Sequence, residues 1–305
     1  QKSLAVYGDV IFQGGVVVTS LYKFFPARIE FFDNFLLRAT GKYSLNDPFE
    51  VNASTDYLID LYLKIGDGRF GSDREEIRKF ISEQPTQRHW AELGLPFYTD
   101  YGIISLTETK DNLLMWSHYA DEHNGFVVEF DSRHEFFTSK FHSENNPCLG
   151  KESRVLYRKE RLCNLGEYLM EPFFHKSDEW AYEKESRLIL SFQDADKILV
   201  PNDKAEDLIQ ARGYFKQENL QKFSRRLDVI EDPMYPNNLH EHSEILFMFE
   251  VPKDSIKSII FGCRASEEFI NEATSKLKQQ GLNITTQKAV MDRYDYRLRF
   301  EEIEI

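Results

Sequence analysis

Apolar residues at helical spacing mark out several segments of this chain. Leu58, Leu61, Tyr62 and Ile65 recur every three to four positions, which predicts a helix over Thr55–Lys64. Asp73–Gln84 and Ser266–Gln280 read the same way with charged outer faces, and Lys204–Lys222 reads as a helix weakened by Gly213. Residues Arg28–Arg38 predict a short helix, and Asn112–Ala120 a helical turn or short helix. β-Branched and aromatic residues crowd Ala5–Phe12 and Val16–Phe25 around Gly14-Gly15, which predicts a hairpin. Further strands are expected at Ile103–Leu106, Gly125–Phe130, Val155–Tyr157, Arg187–Phe192, Ile245–Val251, Ser255–Gly262, Asn283–Val290 and Tyr296–Glu302. Arg225–His242 has two prolines and paired asparagines and reads as a long loop. Helices and strands intermix without regular βαβ repetition. The expectation is therefore an α+β fold: a mixed, mainly antiparallel sheet or sheets with flanking helices.

Composition narrows the function classes. The chain has 305 residues, 41% of them hydrophobic, enough for one large domain or a main domain with a smaller appendage. The 25 Phe and 15 Tyr must largely be core, because aromatics bury the most area per residue. Acidic residues outnumber basic ones 51 to 38, a formal charge of −13, which argues against broad nonspecific binding to nucleic acid. Lys151–Arg161 and Lys222–Arg226 are local basic runs of the kind that usually form solvated faces. Three cysteines without CxxC spacing suit neither a disulfide framework nor a structural zinc site, and free thiols suit a cytoplasmic location. Val10–Leu21 is broken by Gln13, Gly14 and Gly15, so neither a membrane span nor a signal peptide is expected.

Three phrases concentrate polar and aromatic chemistry. The last runs Trp180, Tyr182, Glu183, Glu185, Arg187. On a strand, Glu183, Glu185 and Arg187 would share one face, with Tyr182 opposite. Two carboxylates on one face repel unless a cation or ligand sits between them, and Arg187 can pair with Glu185 and hold it ionised. The middle phrase, Asp111–Ala120, holds Trp116, Ser117, His118 and Tyr119. Ser117 and His118 point about a quarter-turn apart on a helix, so they make no ready nucleophile and base. His118 and His123 have no standard metal spacing, and no metal is expected. The first phrase joins Tyr22-Lys23-Phe24 to Ser44-Leu45-Asn46-Asp47-Pro48-Phe49-Glu50. Lys23 on a strand can meet a phosphate, while Asn46 and Asp47 shape a turn. No Walker loop, HExxH or GxSxG appears in the sequence, and no GxGxxG follows a strand.

At these phrases the sequence resembles the family called domain of unknown function 2971, over roughly residues 21–290, which implies a single domain over 1–305 with its core at about 21–290. The residues that carry the likeness are Leu21–Phe24, Ser44–Glu50, Leu114–Ala120, Gly125-Phe126-x-x-Glu129-Phe130, Trp180-x-Tyr182-Glu183-x-Glu185-x-Arg187 and Ile259-Ile260-x-Gly262. The order of an early polar strand, an aromatic middle element and a late Glu-x-Glu strand also resembles the layout of ADP-ribosyltransferases. That resemblance implies an enzyme using NAD, with Glu185 as the catalytic carboxylate and Glu183 assisting it. Tyr22, Lys23, Asn46, Trp116, His118, Tyr119 and Arg187 would line the NAD site. A nucleotide or NAD-type small molecule is the expected partner, with an acceptor macromolecule, nucleic acid or protein, as in a bacterial toxin or anti-phage effector. Two alternatives stand beside it. One is a non-enzymatic ligand-sensing or interaction domain. The other is a divalent-metal nuclease using Asp47, Glu50, Glu183 and Glu185. Glu185, His118 and Asn46 are expected around one cavity.

Overall fold

Strand β1, Ser20–Phe25, carries the first phrase in a computed structural model that describes residues 18–66, 68–84, 89, 92, 93, 95, 100–144, 146–201, 221–223, 226–228 and 244–303. The Ala5–Phe12 half of the expected hairpin and most of the expected Lys204–Lys222 helix lie outside these residues. Helix α1 is only Phe31–Asn34, not the whole of Arg28–Arg38. Phe35 takes a left-handed conformation (φ 50°) and its N–H closes the turn onto Phe31 O at 2.8 Å. The chain then enters β2, Leu36–Gly41. Sheet pairing overrides the local helical spacing there, because Leu37 and Ala39 are buried between neighbouring strands.

The following strands are β3 (Tyr101–Thr107), β4 (Phe126–Asp131), β5 (Ser153–Arg154), β6 (Leu156–Arg158), β7 (His175–Ser177) and β8 (Glu185–Ser191). After them come β9 (Lys197–Pro201), β10 (Gln221–Phe223), β11 (Arg226–Asp228), β12 (Leu246–Glu250), β13 (Ile256–Phe261), β14 (Thr285–Met291) and β15 (Leu298–Glu302). Strand β10 takes the end of the expected Lys204–Lys222 helix, and β11 falls inside the expected Arg225–His242 loop. All but β6 and β7 join one sheet, whose order is β10-β11-β9-β12-β2-β3-β1-β4-β13-β14-β15 with β8 and β5 attached beyond β3. It is mostly antiparallel. β13 and β14 are parallel because helix α6 (Glu267–Gln279, capped by Ser266) crosses between them. The result is α+β, as the pattern of elements predicts.

Alternation along the strands separates two faces. Phe25, Val128, Ile259 and Phe261 point into the main core, packed by α1, α6 and helix Glu135–Thr138. Phe24, Val127 and Ile260 point the other way, against Trp116 on helix Leu113–Tyr119. Each fully buried aromatic contributes about 1.5–3 kcal/mol of burial free energy. Further along that second face, Ile103 and Ile189 meet helices Thr55–Ile65 and Arg74–Ser82. The functional phrases lie between these two apolar clusters.

Strand β3 forks the sheet. β8 pairs with it along its whole length on one edge. On the other edge β2 pairs only at Gly102 and Ile103, and β1 only at Thr107. In the interval, Lys23 Nζ donates to Ser105 O at 2.7 Å, so a side chain satisfies a carbonyl in a stretch where neither strand pairs. No helix among the described residues is long and apolar enough to cross a membrane.

Candidate functional site

A cavity of about 260 Å³ opens at the fork, lined by Tyr22 and Lys23 from β1, Arg38 from β2, Ser105 from β3, and by Tyr119, Glu183 and Glu185. It brings six of the nine expected site residues together, Asn46 included. Its chemical centre is a buried charge cluster. Lys176 Nζ lies 3.0 Å from Glu50 Oε1, 2.6 Å from Glu183 Oε2 and 3.3 Å from Glu185 Oε2. Arg187 donates from Nε to Glu185 Oε1 at 2.9 Å and from Nη2 to Glu185 Oε2 at 2.8 Å. Its Nη2 also pairs with Glu50 Oε2, and its Nη1 donates to Phe173 O at 2.7 Å. All five side chains are buried.

Local backbone geometry makes this convergence possible. The third phrase is not a continuous strand: Asp178–Glu183 is a 3₁₀ turn, and only Glu185 onward is strand. Ser177 caps the turn and Lys184 ends it in the left-handed region (φ 43°), which folds Glu183 back beside Glu185. The two carboxylates therefore meet through a turn rather than through strand alternation. On the other side, Asp47 Oδ1 accepts from Phe49 N at 2.8 Å and Glu50 N donates to Asp47 O at 3.1 Å. Val51 follows with φ 53°, an outlier for a β-branched residue, costing on the order of 1–3 kcal/mol. Val51 and Lys184, two of the six positive-φ non-glycine residues among those described, thus adjoin cluster glutamates. Asn112 caps helix Leu113–Tyr119 and donates from Nδ2 to Tyr182 O at 2.9 Å, which ties the second phrase to the third.

The two carboxylates of the third phrase have different environments. Burial opposes ionisation of Glu185, but the adjacent Arg187 guanidinium and Lys176 ammonium outweigh it and hold the carboxyl down at about 2. Both its oxygens are engaged. Glu183 is raised above the ordinary carboxylate range, chiefly by burial, against the pull of Lys176 and Tyr119. Its Oε1 accepts from Tyr119 Oη at 2.6 Å and its Oε2 from Lys176, which leaves a lone pair on each oxygen for a ligand hydroxyl. Asn46 Nδ2 lies 3.4 Å from Tyr119 Oη, at the exposed rim. Burial lowers Lys23 to about 8.

Three expected residues stand elsewhere. Trp116 is fully buried, donates from Nε1 to Lys110 O at 2.8 Å and meets Phe24 edge-on at 5.2 Å, so it supports β1 from behind. His118 is exposed on the outer face of its helix, a quarter-turn from Tyr119, and does not line the cavity; the expectation that it joins Glu185 and Asn46 there is corrected. Arg187 lies beneath the carboxylates, fully buried, and contacts the ligand space only through them. Sequence reasoning missed Lys176 as the bridging cation. Its neighbours His175 and Ser177 give no motif, and the only available signal was the need of two close carboxylates for a cation. That ammonium sits where a divalent ion would have to bind, and the described residues include no group of three potential ligands able to hold a metal.

Residues 115–188 match a family model described as Protein of unknown function (DUF2971), which bears out the resemblance carried by the second and third phrases. No curated protein and no solved structure matches the chain.

Proposed function

We propose that the fork cavity binds NAD and that the protein transfers its ADP-ribosyl group. The observation that carries this reading is the meeting of Glu183 and Tyr119 with Tyr22 and Lys23 across one small cavity. A second cavity of about 640 Å³ shares Lys23, Phe24, Arg38 and Thr40 with the first and continues over Leu199, Leu246 and Met248. This two-part space suits a two-ended ligand. A nicotinamide ribose fits against the carboxylates, a pyrophosphate against Lys23 and Arg38, and an adenine against the apolar floor.

NAD supplies a glycosidic bond whose cleavage builds positive charge at the ribose carbon and releases nicotinamide with the bonding electron pair. Glu183, ionised, stabilises that charge and accepts from a ribose hydroxyl. Tyr119 and Lys176 hold its carboxylate in place. Glu185 acts as a positioning residue, since it fixes Lys176 and Arg187. The assignment reverses the weight given to the two glutamates by the resemblance alone. One observation favours a second reading, a ligand-sensing domain without turnover: all five cluster charges are paired with one another. Calorimetric titration with NAD tests the binding step. Heat of binding and a raised melting temperature are expected, because a ligand of the native state stabilises it. No heat and no thermal shift at millimolar NAD contradict both readings of this cavity as an NAD site.

A further inference from the structure

A third cavity, about 620 Å³, lies on the opposite side of the Glu50–Lys176 pair, since both residues line it as well as the fork cavity. Its wall carries Arg158, Lys159 and Arg161. Among the described residues none of these three cations is held in an ion pair. The carboxylates near them are otherwise engaged: Asp56 pairs with Arg78 at 2.8 Å, Asp47 accepts from Phe49 N, and Glu50 belongs to the buried cluster. Glu160, and Asp47 whose bond to a backbone N–H leaves its charge in place, offset them in part. Phe49 is 60% exposed on the rim, with the Arg161 guanidinium 5.8 Å from its ring centre.

Two buried polar atoms without partners face this space. Asn52 donates from Nδ2 to Pro48 O at 3.1 Å, which fixes its amide and leaves Oδ1 as an acceptor with nothing to accept. His175 lines the same cavity with Nδ1 buried and unpartnered. A buried unsatisfied polar atom costs roughly 1–3 kcal/mol, so two in one cavity point to a ligand that completes them. The required ligand is anionic, carries a flat ring to lie on Phe49 and offers an N–H donor to Asn52.

We infer that this cavity is a nucleotide-binding site for a phosphorylated nucleoside whose base bears an amino group. The phosphate meets Arg158, Lys159 and Arg161, the base stacks on Phe49, and its amino group donates to Asn52 Oδ1. This site is separate from the NAD reading of the fork cavity and does not depend on it.

The test is calorimetric titration of the full chain at low salt with cytidine monophosphate, and fluorescence anisotropy with an end-labelled single-stranded oligocytidylate. Cytidine monophosphate is expected to bind saturably, and Phe49→Ala and Arg161→Gln, both at exposed positions, are each expected to weaken it about tenfold. Tighter binding of the oligonucleotide than of the monophosphate would support a nucleotide within a strand; equal binding would support the free nucleotide. No binding of either, binding untouched by both substitutions, or binding of phosphotyrosine in place of the nucleotide overturns the inference. Release of nicotinamide from NAD by Phe49→Ala is expected to match the wild type, which keeps the two sites distinguishable.

Discussion

Replacing Lys176 with Met removes the one cation that touches all three cluster carboxylates. Glu50, Glu183 and Glu185 lie 3.0, 2.6 and 3.3 Å from its ammonium, and the Lys176 side chain is only 4% exposed. Methionine keeps most of the volume, so packing loss is small and the effect is electrostatic. Breaking a buried pair by removing one partner costs about 3–5 kcal/mol. In a chain of this size that is a fall of roughly 5–8 °C in melting temperature. The loss also acquires a sign in pH. Without the ammonium the carboxylates repel one another, and burial, which already raises Glu183, acts unopposed by Lys176. The folded value of Glu183 then rises further above the ordinary 4.5. A group raised in the folded state contributes stability below its unfolded value and loses it as pH climbs through the folded one. The gap between wild type and Lys176→Met should therefore be small near pH 5 and widest near pH 8. Urea denaturation at the two pH values measures it. A gap below about 1 kcal/mol at pH 8, or one of equal size at both, refutes the reasoning.

Glu185, held at about 2 against 4.5 in an open chain, contributes stability above pH 4.5 that is lost as pH falls through about 2. That gap corresponds to about 3 kcal/mol, and acid denaturation of Glu185→Gln should show a shallower fall across the window than the wild type. Trp116→Ala should cost about 3–5 kcal/mol in denaturant unfolding, as truncation of a fully buried aromatic does. His118→Ala, at an exposed position, should stay within about 0.5 kcal/mol of the wild type and leave NAD binding unchanged.

Amphipathic spacing was enough to place helices Thr55–Ile65 and Glu267–Gln279 nearly to the residue, because their buried faces repeat with the helical period. The helix over Arg28–Arg38 was not recoverable that way: a single left-handed Phe35 splits it, and nothing in the composition marks that residue. The fork at β3 depends on which strands stop pairing where, and Lys23 fills the gap as an ordinary-looking strand lysine. Within the site, the pairing of Glu185 with Arg187 was legible from their spacing of two. The role of Lys176 was not, since it depends on a three-residue parallel pairing of β6 and β7 and on a turn at Lys184. Trp116 and His118 both looked like pocket residues because aromatic and imidazole groups suit either environment. Only the direction of the helix face decided that one is core and the other solvent-exposed.

Release of nicotinamide from NAD, measured on wild type, Glu183→Gln and Glu185→Gln with melting temperature followed in parallel, tests the central claim most directly. Glutamine keeps the shape of each side chain and removes its charge, so Glu183→Gln should lower turnover about a hundredfold or more while the protein stays folded. Glu185→Gln should lower stability at least as strongly as activity, because it leaves Arg187 buried with one carboxylate fewer. Turnover by Glu183→Gln equal to that of the wild type, or NAD bound by the wild type with no nicotinamide released, would contradict the account.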